Sequence, residues 1–431
     1  MNLDPHPTLE YERRPLPVSQ GEANDRVSAE RAGMAEEIIF NPWDPEFRAN
    51  PYPYYGAMLS GPPHQFAFGT MKFALVARYA DVSAGLRDHE HMSSVQPPPP
   101  PEMYQGRFAG SRNMLNSDPP QHSRLRKLVS RDFTPRRIRE MEPRIRQIAK
   151  ELLDQVESKG EFDVMADLAN VLPVKVIADM LGMPAELNAT LKQWSDTLVT
   201  GDNKAPGMPS PPEIVKVMDE LGDYFAAEIE KRRINPGPDL VSALVAAHDG
   251  GDAMSEADLL SFVALLLVAG NETTTNLIGN GTLALGRNPE QLDALKRNPA
   301  MIPRAIEEML RYDGPVQSTV RFTKQPVQLG GTEIPAQTFA LMIIAAANRD
   351  PAQFKDPEKF DITRDPKDNL AFGEGIHFCI GAPLARMEAR VAFEAMLARF
   401  PRLGLKDPAL KPGYKGSYFL RGLESLPLAI E

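Results

Sequence analysis

Cysteine is almost absent from this chain of 431 residues, and acidic side chains outnumber basic ones: 48 Lys plus Arg stand against 58 Asp plus Glu, a formal net charge of −10. A single cysteine cannot form an internal disulfide, so a disulfide-stapled secreted scaffold is excluded. Zinc and iron–sulfur sites built from several thiolates are excluded for the same reason. The acidic balance argues against nucleic acid as a general partner.

Long apolar runs are also missing. The longest, Phe262 to Gly270, is about half of the roughly 20 residues that a membrane-spanning helix needs. The N-terminus has no apolar stretch behind a basic start, so a secretory signal peptide is not expected. We therefore expect a soluble cytoplasmic protein without a membrane segment.

The distribution of apolar residues predicts one domain behind a tail. Residues 1–37 are polar and densely charged, a composition that supports no packed core, so we expect a flexible N-terminal tail. Apolar segments then continue evenly through residues 38–431, and no Gly/Ser-rich linker divides them. The run Pro97 to Pro101 is expected to adopt a stiff polyproline conformation.

Helical periodicity dominates the pattern of apolar residues. Spacings of three and four predict helices over Ile138–Glu157, Met165–Met180, Pro212–Arg233, Ser255–Arg287, Ile302–Tyr312 and Ala382–Phe400. Strand signals are few: Phe73–Ala77, Thr338–Ala345, and a hairpin whose turn is Gly330-Gly331. The sequence therefore predicts a mainly α fold with a small β region, of α+β class.

The only cysteine, Cys379, lies in the segment Phe372 to Gly381, directly ahead of a predicted helix. A lone cysteine is most often an inert core residue, but glycines at 373, 375 and 381 allow tight turns and close approach to a flat partner. The start of a helix also favours a thiolate. A cysteine protease would need a well-placed base, and His377 is only two residues away across a glycine-rich turn, which is poor geometry for that role.

Phe372 to Gly381, followed by Leu384-Ala385-Arg386, resembles the haem-binding loop of the cytochrome P450 family. Other segments resemble motifs of the same family in the same order: Asp118–Arg126, Ala269–Thr273, Glu308–Arg311, Asn348–Pro351 and Phe354–Phe360. The resemblance implies a single haem domain built around a long central helix, here Ser255–Arg287. Glu308 and Arg311 share a helix face with apolar neighbours, so we expect a buried structural ion pair that seats the cysteine loop.

The resemblance also implies the site residues. Cys379 would be the axial ligand of the iron in haem b (iron protoporphyrin IX). Cations for the two haem propionates would be His122, Arg126, Arg321 and His377. On the central helix, Thr273 would act in oxygen activation and Glu272 would relay protons from solvent, both in a local groove at Gly270.

The function implied is a monooxygenase that uses O2 to hydroxylate or epoxidise an apolar small molecule such as a fatty acid, terpenoid, steroid or macrolide. By resemblance, the pocket would be lined by Val95–Phe108, Trp194–Val199, Leu265, Ala269, Val316–Val320 and Ser417–Phe419. Electrons would come from a ferredoxin or flavodoxin with an NAD(P)H-dependent reductase. Two alternatives stay open: a peroxide-driven hydroxylase, and a haem-based sensor or carrier without turnover.

A basic run offers a site for an acidic redox partner. Residues 124–139 carry a net charge of +6 within an acidic chain, which creates a field that steers acidic partners. Nucleic acid is the rival partner, but the segment contains no aromatic platform or groove-reading motif.

Overall fold

Helices form most of the architecture of this computed structural model, which describes residues 40–42, 44–97, 113–159, 161–201, 211–249, 256–365, 368–415 and 419–430. The predicted tail, residues 1–37, and all of the proline run except Pro97 lie outside the described residues. The described α-helices are α1 Pro45–Ala49, α2 Tyr52–Leu59, α3 Tyr79–Arg87, α4 Gln121–Ser130, α5 Pro135–Lys159, α6 Leu172–Leu181, α7 Asn188–Gly201, α8 Pro212–Ile234, α9 Leu240–Asp249, α10 Glu256–Arg287, α11 Pro289–Arg297, α12 Ile302–Asp313, α13 Ile344–Ala347 and α14 Ala382–Arg399.

The strands are short and gather into small sheets. They are β1 His64–Phe68, β2 Met71–Val76, β3 Met92–Ser93, β4 Phe162–Asp163, β5 Thr319–Thr323, β6 Val327–Leu329, β7 Thr332–Ile334, β8 Thr338–Met342, β9 Gly404–Leu405 and β10 Pro427–Ala429. One sheet has five strands in the order β1-β2-β8-β5-β3, in which only the β2–β8 pair is parallel. The others are β4-β10-β9 and the hairpin β6-β7. A mainly α fold with a small β region is confirmed.

Most predicted elements occur close to their predicted bounds, and two differ. The predicted helix Met165–Met180 is a π-helical turn over Met165–Ala169 followed, after a break, by α6, whose second residue is Pro173. The predicted strand Thr338–Ala345 ends at Met342, and α13 follows it. The glycine turn of the hairpin is confirmed, because Gly330 and Gly331 have φ of 59° and 80°.

The central helix α10 is 32 residues long and packs against α6, α7, α12 and α14. The predicted start at Ser255 falls outside the described residues, which begin again at Glu256. Over Ala257–Arg287 this helix is long and apolar enough to cross a membrane, by length and composition only. More than half of its apolar window is buried against the rest of the fold, as in the core helix of a globular domain.

A buried ion pair joins α12 to the loop that follows α13. Arg311 donates through Nε and Nη2 to the two carboxylate oxygens of Glu308, each at 2.8 Å, and both side chains have no exposed surface. The remaining guanidinium hydrogens reach the carbonyls of Asn348, Pro357 and Lys359. Glu308 Oε1 also accepts the backbone N–H of Asp361 at 2.9 Å. The predicted burial and pairing of these two residues is confirmed.

The link from this pair to the cysteine loop is indirect. Asn348, whose carbonyl Arg311 holds, accepts the N–H of Leu370 on its side-chain oxygen at 2.7 Å. The carbonyl of Leu370 in turn accepts the N–H of Gly373, at 2.8 Å. The ion pair therefore fixes the 348–361 loop first, and the cysteine loop through it.

Replacing Arg311 with Ala should strongly destabilise the protein, because the buried Glu308 would lose its two shortest charged hydrogen bonds and keep only the Asp361 N–H and Arg364, whose Nε lies 3.3 Å away. We expect a loss of about 3–5 kcal/mol in the free energy of unfolding, together with failure to incorporate haem. Chemical denaturation followed by circular dichroism measures the first, and the haem-to-protein absorbance ratio measures the second.

Arg136 provides the matched control, since it pairs with Glu140 four residues along a helix but is 85% exposed. Arg136→Ala should cost less than about 1 kcal/mol. An Arg311→Ala protein that is as stable as Arg136→Ala and fully loaded with haem would contradict the structural role.

Candidate active site

The cysteine loop is a tight turn held by its own backbone. Cys379 lies three residues before α14, and its N–H donates to the carbonyl of Phe372 at 2.9 Å. Gly373 and Gly375 have φ of 69° and 71°, which favour glycine. At Gly375 a Cβ would also lie 2.8 Å from the backbone oxygen of Leu86 in α3. Gly381 differs from the expectation of a special turn, since its φ of −81° is ordinary for any residue.

Opposing influences act on the thiol of Cys379. Burial raises its pKa, whereas the backbone N–H groups of Gly381 and Ala382 and the cations Arg126 and Arg386 lower it. The helix start therefore acts in the direction that the sequence indicated, but burial outweighs it. A bound metal ion reverses this balance, because a coordinating thiol is deprotonated.

The four predicted propionate ligands converge beside this loop. The rings of His122, on α4, and His377 are 4.2 Å apart. One turn along α4, Arg126 donates from Nη2 to the carbonyl of Phe378 at 2.8 Å. Burial lowers the pKa of both histidines, and Arg321, on β5, lies near enough to add to that lowering. The structure thus brings together four side chains that are up to 255 positions apart in the chain.

This cluster has donors without acceptors. Neither ring nitrogen of the buried His122 has a hydrogen-bond partner. The guanidinium of Arg321 is buried, and its one described hydrogen bond goes to the carbonyl of Val320; burial lowers its pKa to about 10. Burial, with Arg321 and His122, lowers the pKa of His377 to about 3. Such a donor set fits an anionic group, and the two propionates of haem are of that kind.

Three supporting residues were not among the predicted site residues: Asp118, which was noted only as part of a motif, and Ser93 and Ser94, which were not singled out. Asp118 accepts from the hydroxyl of Ser93 at 2.5 Å and the N–H of Ser94 at 3.0 Å. The hydroxyl of Ser94 lies 3.0 Å from Nε2 of His377. Together these contacts fix β3 and orient the His377 ring.

Arg386, on the first turn and a half of α14, also supports the cysteine loop. Its guanidinium lies over the ring of Phe372 at 4.5 Å and pairs with Glu307 of α12. The cysteine loop is thereby tied to α12 directly.

One face of α10 stays accessible within an otherwise buried helix. Leu265 and Thr273 are half-buried and Ala269 is exposed; they lie four residues apart and so follow one face. The Thr273 hydroxyl donates to the carbonyl of Ala269 at 2.7 Å, the back-bond typical of mid-helix threonine. Leu265 and Ala269 were both predicted to line the substrate pocket.

Glu272 lies on a different face from Thr273, so the expected groove shared by a hydroxyl and a carboxylate is not formed in this structure. Glu272 is 1% exposed, and its Oε1 accepts from Nζ of Lys415 at 2.9 Å. The other threonines are directed elsewhere: the hydroxyl of Thr275 reaches the carbonyl of Ala169 at 2.8 Å, while that of Thr274 lies 3.3 Å from the carbonyl of Gly270.

Other predicted pocket residues are only partly described. Most of the Val95–Phe108 loop, with Ser417 and Tyr418, lies outside the described residues. Trp194 and Val199 on α7 are buried, and Trp194 donates to Glu220 at 3.1 Å. Val316 pairs with Leu420 as an isolated β-bridge, which brings the two predicted lining segments of the C-terminal half together.

The basic run lies on α4 and the start of α5, next to the cysteine loop. Arg126 makes the contact with Phe378, whose ring is 41% exposed. Lys127, Arg131 and Arg139 are exposed, and no ion pair is recorded for them within the described part of the chain. Arg136 and Arg137 instead contact Glu140, the residue that follows the basic run 124–139. Three exposed cations of the run, Lys127, Arg131 and Arg139, are therefore left to interact with a partner.

Comparisons with known proteins agree with this geometry. A family model described as Cytochrome P450 matches residues 57–412. The cytochrome P450 monooxygenase PikC of Streptomyces venezuelae is 42% identical over 392 residues, which cover 89% of this chain and 92% of the relative. The 6-deoxyerythronolide B hydroxylase of Saccharopolyspora erythraea is 42% identical over 332 residues, 77% of this chain and 80% of the relative.

A solved structure agrees as well. The bacillaene polyketide synthase cytochrome P450 PksS of Bacillus subtilis 168 matches with a TM-score of 0.83 and 38% identity, over 91% of this chain and 100% of that one. The chain belongs to the cytochrome P450 family. It is a haem-dependent monooxygenase.

Replacing Cys379 with Ala should remove the spectral signature of thiolate ligation. We expect the parent, reduced and exposed to carbon monoxide, to give a strongly red-shifted Soret band, because a thiolate donates electron density to the iron. The variant should lack that band in the absorption spectrum. A variant spectrum identical to that of the parent would overturn the assignment.

Proposed function

We propose that Cys379 is the axial ligand of haem b and that His122, Arg126, Arg321 and His377 hold its propionates. The observation that carries this proposal is the convergence of four cationic or imidazole side chains, two of them with unpaired or self-bonded donors, beside the only thiol. Residues 38–431 would then form one haem domain.

The haem, when bound, supplies the activation of dioxygen. The protein supplies the proton positions and the exclusion of bulk water. Thr273, on the accessible face of α10, carries a hydroxyl that donates to the Ala269 carbonyl and can rotate to donate instead to a ligand or water in the pocket. Glu272 provides the buried carboxylate through which protons arrive from solvent.

The substrate is an apolar small molecule. The accessible face of α10 offers Leu265 and Ala269 and no charge. Fatty acids, terpenoids, steroids and macrolides all fit that chemistry. The relatives span several of these classes, since one is named a hydroxylase of 6-deoxyerythronolide B, another a vitamin D(3) 25-hydroxylase, and a third is a structure with myristic acid. A spectral-shift titration of the purified protein with these four classes would identify the preferred one.

The electron donor is an acidic ferredoxin or flavodoxin, reduced by an NAD(P)H-dependent reductase in the cytoplasm. It would dock on the face formed by Phe378 and the exposed cations Lys127, Arg131 and Arg139. Acidic partners complement this charge, and the face adjoins Cys379.

Turnover tests the proposal as a whole. Purified holoenzyme with O2, NAD(P)H and a surrogate ferredoxin and reductase should form an oxygenated product. A peroxide-driven hydroxylase would form product from hydrogen peroxide alone and none with NAD(P)H, and a haem sensor would bind ligands without forming product.

Reversing the charge of Arg131 should slow electron delivery. Arg131→Glu should lower the rate of reduction by an acidic ferredoxin at least about threefold at low salt and weaken its salt dependence, because steering is electrostatic. Stopped-flow absorbance measures this rate, and the substrate-induced spectral shift should be unchanged.

Arg297→Glu, an exposed arginine on α11 outside the run, produces the same change in net charge and serves as the control. Equal reduction rates for the two variants would contradict the proposal that the electron donor docks on this face.

Loss of the Thr273 hydroxyl should misdirect protons while oxygen is still consumed. Thr273→Ala should bind substrate and oxidise NAD(P)H, but most of the consumed oxygen should leave as hydrogen peroxide, so product per NAD(P)H should fall about tenfold. Product chromatography and a peroxide assay give this ratio. Thr274→Ala is the control, since Thr274 is buried and directed away from the accessible face; uncoupling by Thr274→Ala and not by Thr273→Ala would refute the assignment.

A further inference from the structure

One carboxylate of α12 contacts the chain on both sides of the cysteine loop. Glu307 accepts from the guanidinium of Arg386, on α14, through both of its oxygens, at 2.5 Å and 3.0 Å. Its Oε2 also accepts from Nδ2 of Asn369 at 3.2 Å. Asn369 lies just before the loop 372–381, and Arg386 lies just after it. These three side chains form the α12 clamp, which joins the segments that enter and leave the loop.

Both outer members of the clamp are tied to the loop backbone. The side-chain oxygen of Asn369 accepts the N–H of Ala371 at 3.1 Å. The guanidinium of Arg386 lies over the ring of Phe372 at 4.5 Å, and the carbonyl of Phe372 accepts the N–H of Cys379 at 2.9 Å. A shift of the guanidinium would therefore reach the backbone of the cysteine through one intervening residue.

The loop needs external ties because its own backbone is permissive. Gly373 and Gly375 have positive φ, a region in which glycine moves at little cost. One tie lies in the middle of the turn, where Glu374 accepts from the hydroxyl of Ser83, on α3, at 2.7 Å. The α12 clamp adds a constraint at the two ends, so the turn is held at three places.

Global stability does not account for the clamp. The side chains of Glu307 and Arg386 are 21% and 38% exposed, and an exposed ion pair contributes only about 0–1 kcal/mol. The neighbouring Glu308 is fully buried and forms the structural pair with Arg311. The two consecutive glutamates of α12 therefore hold different segments: Glu308 the 348–361 loop, and Glu307 the ends of the cysteine loop.

We propose that Glu307 is a positioning residue for the haem thiolate. By holding Asn369 and Arg386 it fixes Phe372, and through the Phe372 carbonyl it fixes the position of Cys379. Replacing residues that orient the ligands of a metal typically changes metal affinity about 10–100-fold. The inference rests on the proposed axial role of Cys379 and adds a residue that determines how well the thiolate serves in it.

The experiment compares variants of the holoenzyme. Glu307→Gln removes the charge at unchanged size and leaves one acceptor oxygen for three donors, and Arg386→Leu removes the partner. Arg386→Lys is the milder variant, because it keeps the cation but not the flat, two-pronged guanidinium. The matched controls are Glu142→Gln and Arg390→Leu. They break an ion pair one turn further along α14, at 2.8 Å and with 25% exposure on each side, for which no contact with the cysteine loop is recorded among the described residues.

The first measurement is the rate of haem release to excess apomyoglobin, which does not depend on turnover. Glu307→Gln and Arg386→Leu should release haem about tenfold faster than the parent, and Arg386→Lys should lie between them and the parent. Glu142→Gln and Arg390→Leu should match the parent. The melting temperatures of all these variants should fall by similar small amounts, since each loses an ion pair of similar exposure.

The second measurement separates position from charge. An effect of charge alone on the reduction potential of the iron would be opposite in sign for Glu307→Gln and Arg386→Leu, and it would cancel when the two are combined. We expect instead that the double variant releases haem as fast as Glu307→Gln. It should also lose the red-shifted band of the carbon monoxide complex as readily, because balancing the charges does not restore the lost contacts.

The outcomes separate this proposal from the one on which it rests. If Cys379→Ala keeps the red-shifted band, the axial assignment fails, and this inference fails with it. If Cys379→Ala loses the band, but Glu307→Gln matches Glu142→Gln in haem release, only the positioning role of Glu307 is overturned. The same conclusion holds if the double variant returns to the haem release and the spectrum of the parent.

Discussion

The need to satisfy one buried guanidinium organises the region around the active site. Arg311 cannot be buried without acceptors for its donors, and it obtains them from Glu308 and from three carbonyls of the 348–361 loop. Through Asn348 and Leu370 the same loop fixes the turn that carries Cys379. The buried guanidinium of Arg311 therefore fixes the path of the 348–361 loop, because its carbonyls must lie within hydrogen-bonding distance. The position of the Cys379 thiol depends in turn on that loop.

The central helix α10 places an apolar face and a polar face at different angles around its axis. Residues four apart share a face, whereas adjacent residues differ by about 100°. Thr273 and Glu272 are neighbours in sequence, yet Thr273 lies with Leu265 and Ala269 on the accessible face. Glu272 lies with Asn276 and Asn280 on the buried side of the helix that contacts Lys415 and Gly422. The apolar face can then exclude water from the substrate, while the buried carboxylate of Glu272 is kept apart from it.

Local signals explain what the sequence predicted well. The amphipathic pattern of α12 and the glycines and cysteine of the 372–381 turn are readable from neighbouring residues, and the structure reproduces both. The break before α6 and the short strand β5 were not predicted, because short elements are decided by non-local pairing. The Lys415 partner of Glu272 lies 143 residues away, and Asp118 and Ser94 act through contacts that no local pattern records. The sequence therefore identified which residues matter at the site better than which residues they contact.

The exposure of Phe378 bears on how far Cys379 lies from the protein surface. Phe378 lies immediately beside Cys379 in the chain and is 41% exposed, on a surface edged by Arg126. Neighbouring residues in a chain lie about 3.8 Å apart between Cα atoms. A protein that docks against Phe378 is therefore separated from Cys379 by one residue of the chain, and an electron that passes between them needs no internal series of aromatic side chains.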